Sequence, residues 1–165
     1  VGVGKFVSEG RSAVGPRRKL QALAAEGYSL AWLAKQGDVL TRTTVERIAN
    51  GIYGQKSGLL MGRTADWIDE IYDLYAGKDP AEAMEMTWHI GRLRRTAAER
   101  GWAPSHCWDM DTIEDHSAFP QWTGECGTNH GFTIHRREKI PMCDPCREAY
   151  NARKLELAHQ RDADA

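Results

Sequence analysis

The sequence predicts a mostly α-helical protein: a bundle of short helices, a joining helix and a small cysteine-bearing tail. Three observations carry this expectation. Apolar residues recur at three- and four-residue spacing through much of residues 17–100. The periodic runs open on helix-start residues and close on glycine. The final 40 residues hold three of the four cysteines and few large apolar side chains, so they need a staple to hold a fold.

The elements follow in order. Residues 1–16 are rich in Gly, Ser and Val without a period and read as a loose arm. From Arg17, Leu20, Leu23 and Ala24 mark a first helix that Gly27 stops. Ser29 is an N-cap for a second helix carrying Leu30, Leu33 and Ala34 to Gln36. A turn over 37–40 follows. Thr41 opens a third helix with Val45, Ile48 and Ala49 inward, and Asn50-Gly51 ends it. Residues 51–62 read as a loop or hairpin. Ala65, Ile68, Tyr72 and Tyr75 then mark a fourth helix, closing a domain over 17–77. Asp79-Pro80-Ala81-Glu82 combines an acidic cap, Pro at the first helical position and a third-position Glu. Behind it Ala83, Met86, Ile90, Leu93 and Ala97 predict one bridging helix over 78–101. Residues 102–125 read as an ordered loop pinned by Trp102, Trp108 and Trp122. The tail, 126–165, shows a strand-like Phe132-Thr133-Ile134 and a terminal helix begun by Asp144-Pro145.

The chain has 165 residues, 41% hydrophobic and 27% charged, with a formal net charge of −1. That composition excludes collagen-like, low-complexity and wholly disordered classes. No apolar run is long enough to span a membrane, and no N-terminal stretch reads as a secretion leader. The expected location is the cytoplasm. The small net charge hides a partition: residues 1–63 carry ten basic side chains against four acidic, 64–125 five against thirteen, and 126–165 seven against six. A basic N-terminal third points to a polyanionic partner.

Two short helices joined by a tight turn, after a first packing helix, form the helix-turn-helix pattern of DNA-binding domains. The third helix would then enter the major groove. Arg42, Thr43, Thr44, Glu46 and Arg47 supply the side chains that this needs. Arg pairs with guanine, Thr meets a base edge or methyl group, and Glu accepts from cytosine. Arg17, Arg18, Lys19, Lys56 and Arg63 are candidates for sequence-independent phosphate contacts. The usual apolar position falls ten residues after the small residue of the second helix. Here Ala34 to Val45 is eleven, which implies a longer turn.

The second constellation is Cys126-x8-His135-x7-Cys143-x2-Cys146. Three thiolates and an imidazole suit tetrahedral Zn2+, and four protein ligands leave no open position, so the ion would be structural. His130 is the competing imidazole. Cys107 reads as a small buried residue. Catalytic motifs are absent from the sequence, and the Asp109, Asp111, Glu114, Asp115 and His116 stretch reads as an acidic loop that caps helices or contacts the basic domain. A non-enzyme is expected.

Gly101-Trp102-Ala103-Pro104 followed by Trp108-Asp109-Met110-Asp111-Thr112-Ile113-Glu114-Asp115 resembles a GWAPP-x-x-WDDDTIDDP stretch. That stretch recurs in small helix-turn-helix proteins of actinobacteria and their phages. The tail, Cys126-Gly127-Thr128 through His135-Arg136-Arg137 and Cys143-Asp144-Pro145-Cys146-Arg147-Glu148-Ala149, is similar to a CGT-x3-GY-x2-H-x-R…C-x-x-C-R-x-A element from the same genomes. The resemblance implies a DNA-binding regulator with a zinc-binding tail. Its departures are the longer turn and His106-Cys107, where relatives carry an apolar residue and Ala. The expected function is sequence-dependent binding of double-stranded DNA in transcriptional regulation. A homodimer and a host protein, met through the acidic middle and its tryptophans, are the other possible partners. A metal-dependent nuclease is the remote alternative.

Overall fold

The computed structural model describes residues 9–53, 57–85 and 87–163. These residues form eight α-helices and one two-stranded sheet. Strand β1 (Gly10–Ser12) pairs antiparallel with β2 (Leu59–Met61), in the register Gly10–Met61, Arg11–Leu60 and Ser12–Leu59. Helix α1 spans Val14–Glu26, α2 Leu30–Leu33, α3 Arg42–Ala49 and α4 Gly62–Tyr75. The expected arm is thus corrected over its second half. Residues 10–12 are pinned by the strand ladder, and α1 begins three residues before Arg17.

The local signals explain the short helices. Ser29 accepts from the Trp32 backbone N–H and so caps α2. Thr41 accepts from Thr44 N–H and caps α3. Gly27 ends α1 in the left-handed region at φ 110°, and its missing Cβ also leaves room for Ile90, whose Cγ2 would lie 2.7 Å from one. Leu20, Leu23, Leu33, Val45 and Ile68 are fully buried and form one core from α1 to α4.

The expected bridging helix is broken into α5 (Pro80–Ala83), a 3-10 turn (Thr87–His89) and α6 (Ile90–Glu99). Met84 sits extended at φ −103°, ψ 128° and stops α5 after one turn. Met86 of the predicted pattern lies outside the described residues. Nor does this segment bridge. Ile90 and Ala97 are buried, and α6 packs along α1 as part of the first core.

Residues 102–125 form an ordered loop, and its tryptophans divide between two cores. Trp102 and Trp108 pack on the helical bundle, whereas Trp122 packs on Cys126, Cys143 and Cys146. The strand-like 132–134 segment is helical. It lies in α7 (Asn129–Glu138), capped by Thr128, whose hydroxyl accepts from Gly131 N–H at 2.9 Å. Helix α8 (Asp144–Ala163) starts at the Asp-Pro signal. Phe132 and Tyr150 stack at 4.1 Å between centroids and 8° between planes, joining α7 to α8. Among the described residues, no helix is long and apolar enough to cross a membrane.

Candidate metal centre and basic helix face

Cys126, His135, Cys143 and Cys146 are all buried, and one ligand atom from each lies within 4.8 Å of every other. Each comes from a different local device. Cys126 closes the loop after Trp122. His135 projects from the second turn of α7. Cys143 immediately precedes α8, and Cys146 stands in its first turn, where the helix dipole favours a negative sulfur. The spacing suits an ion. A tetrahedral site with metal–sulfur bonds of about 2.3 Å places a sulfur and a nitrogen roughly 3.5 Å apart. Cys126 Sγ and His135 Nε2 are separated by 3.5 Å. His135 is 1% exposed, while the competing His130 is exposed to solvent.

The surroundings favour thiolates unevenly. Burial opposes ionisation of Cys126, but hydrogen bonds from the Thr123 hydroxyl and backbone and from Cys143 outweigh it and hold the thiol below its ordinary range. Burial pushes the Cys143 thiol up to about 12. The Gly127 N–H donates to Cys146 Sγ at 3.3 Å. Gly131 is required by close approach: a Cβ there would collide with the Glu125 carbonyl oxygen and lie 2.9 Å from Cys146 Sγ. His135 Nδ1 is buried and finds no hydrogen-bond partner among the described residues. Cys107 is buried outside the set, its thiol pushed up to about 11 by burial. These four side chains, Cys126, His135, Cys143 and Cys146, can hold a metal ion.

The residues expected to meet DNA fall into two groups. On α3, Val45, Ile48 and Ala49 face the core, while Arg42, Thr43 and Arg47 are exposed and Thr44 and Glu46 half-buried. Arg42 Nε donates to Glu46 Oε1 at 2.8 Å, and the Arg47 guanidinium lies 6.0 Å from the Tyr53 ring centroid. Gln21 Nε2 donates to the Ala49 carbonyl at 2.8 Å and ties the end of α3 to α1. Arg17 is half-buried against Gly51 at that same end, and Arg63 is exposed at the start of α4. Lys56 lies outside the described residues.

Arg18 and Lys19 are corrections: both are spent inside the protein. Arg18 donates to the carbonyls of Ile113, Asp115 and Ala118 at 2.5–2.8 Å, with Trp108 beneath its guanidinium at 4.7 Å. Lys19 is 7% exposed and donates to Asp69 at 2.7 Å, with Glu114 at 3.5 Å. Both residues continue the basic run from Arg17, but a helix spreads three consecutive side chains over about 200°. A run of charge therefore cannot share one face.

The acidic loop is likewise engaged. Asp109 accepts from Asp111 N–H, Asp115 accepts from the Ser117 N–H and hydroxyl, and Glu114 pairs with Arg11 and Lys19. Two arginines that sequence blocks assign to the acidic middle, Arg92 and Arg100, lie in a groove beside α3 with Arg42. Their eight-residue spacing is the sequence signal that could have found them. Comparison with protein-family models, curated proteins and solved structures finds no match for this chain.

Proposed function

We propose that this protein binds double-stranded DNA in a sequence-dependent manner through α3, as a bacterial or phage transcriptional regulator, and that a structural Zn2+ holds its tail. One observation carries the first half. A helix anchored by three fully or almost fully buried side chains turns Arg42, Thr43 and Arg47 to solvent, with α2 packed across it. That is the form in which a helix offers side chains to base edges. Arg17 and Arg63 are the remaining candidates for phosphate contacts among those described. The second half rests on the donor set: three sulfurs and one imidazole, all buried, select a soft tetrahedral ion and leave no position for substrate.

The test is selection of bound duplexes from a random pool at fixed salt, followed by variants. Arg42→Ala and Arg47→Ala should each cost ~1–3 kcal/mol on the selected site and less on random duplex. Equal losses on both duplexes would refute base reading. For the ion, elemental analysis should return one zinc per chain, and a metal-free preparation whose tail keeps its helices would refute the assignment.

A further inference from the structure

The geometry points to a second strip of the nucleic-acid interface, along α6 and its C-terminal end, which grips the phosphodiester backbone flanking the groove that α3 enters. The inference rests on the duplex-binding reading above and extends it to an element that the sequence places in the acidic middle. Ile90 and Ala97 bury one side of α6 against the bundle. Helical period sets another side: Arg92 and Arg100, just over two turns apart, line the groove together with Arg42 of α3. Arg100 Nη1 donates to Asn50 Oδ1 at 3.2 Å, at the end of α3, and its guanidinium lies 5.0 Å from the Trp102 ring centroid. Arg92 Nη2 meets His89 Nδ1 at 3.0 Å.

The charge balance of the groove favours an anion. Glu46 is the one acid among its described lining residues, and its carboxylate is already paired with Arg42 at 2.8 Å. Neither Arg92 nor Arg100 has a carboxylate partner among the described ion pairs. Arg94, by contrast, is committed to the Glu26 carbonyl at 2.8 Å and is excluded from the strip. Exposed arginines that neighbour a helix bearing base-reading side chains, without presenting a base-edge set of their own, suit backbone phosphates, which carry charge but no sequence.

Binding of the full, metal-loaded chain to its selected duplex and to random duplex, each over a salt series, tests the strip. Removing one phosphate-binding side chain lowers the slope of log affinity against log salt by about 0.9. The Arg92→Gln/Arg100→Gln double variant should therefore show a slope shallower by nearly two units. Its affinity should fall by the same factor on both duplexes, leaving their ratio unchanged. Arg92→Lys/Arg100→Lys should keep the slope. Arg92→Gln alone, at an exposed site, keeps the test readable should the double variant melt early, with about half the change in slope. A wild-type slope in the glutamine variants would overturn the strip while leaving base reading by α3 intact. Failure of the wild-type chain to bind any duplex would overturn both.

Discussion

Gly131 shows how a single residue can govern a site that it does not join. A Cβ there would clash with the Glu125 carbonyl and crowd Cys146 Sγ, so any side chain must push α7 away from the loop before it and from α8. Gly131→Ala should therefore weaken metal binding by at least tenfold, read by competition with a chromophoric chelator. Unchanged affinity would show that the helices move apart freely. Cys107 provides the opposite case. It is buried, but it belongs to none of the four converging ligands. With Co2+ as the probe, Cys107→Ser should keep the thiolate-to-metal absorption of the wild type, whereas Cys146→Ser, which removes one of three thiolates, should weaken it. Because the ligand thiols must shed protons before they coordinate, affinity should rise with pH. Lys19 is the residue at which a count of charges misleads. Its ammonium is nearly enclosed, so removing Asp69 leaves it to the half-exposed Glu114 alone. Asp69→Ala should cost about 1.5–3 kcal/mol in denaturant unfolding, the range for a lost hydrogen bond to a charged group in a part-buried pair. An unchanged midpoint would mean that Glu114 fully replaces it.

At the scale of elements, caps are more legible in the sequence than helix continuity. Ser29, Thr41 and Asp79 each accept a backbone N–H at the predicted start. Gly27 ends α1 as its position implies. The four side chains that can hold an ion are also legible, because thiolate and imidazole chemistry at short spacing leaves few alternatives. Two kinds of information are not. Apolar periodicity over 80–97 is compatible with one helix or with two that share a face, and the extended Met84 that separates α5 from α6 leaves no mark on the pattern. Phe132-Thr133-Ile134 has strand-forming composition, yet the Thr128 cap and the pull of His135 toward three sulfurs make it helical. Tertiary context overrides a three-residue propensity at little cost. The same limit hides the arginines of the α6 strip, since a count over a stretch of chain is blind to the face on which each charge lies.

At the scale of the whole molecule, the described residues form two cores of different kinds. The bundle buries a continuous set of aliphatic and aromatic side chains, whereas the tail core consists of three cysteines ringed by Trp122, Phe132 and Met142. Chelation should therefore abolish the tail's helical signal and leave the bundle's melting transition in place. Loss of both transitions together would show that the loop carrying Trp108 and Trp122 couples them. The bundle has its own alkaline limit. Burial, then the charge of Glu26, raises Tyr28 and Tyr72 from 10.0 to about 12. A folded value above the unfolded one means that this stability is complete below pH 10 and declines as pH rises toward 12. The denaturation midpoint should fall across that window as phenolate absorbance appears. Early titration of both rings with no loss of stability would contradict their burial.

The proposed entry of α3 into the major groove is tested most directly by guanine methylation interference on selected duplexes. Methyl groups at N7 stand in the major groove, on the edge that an arginine reads. The bound fraction should be depleted of duplexes methylated at discrete guanines, and Arg42→Ala or Arg47→Ala should erase that depletion. Identical methylation patterns in the bound and free fractions would contradict the proposal.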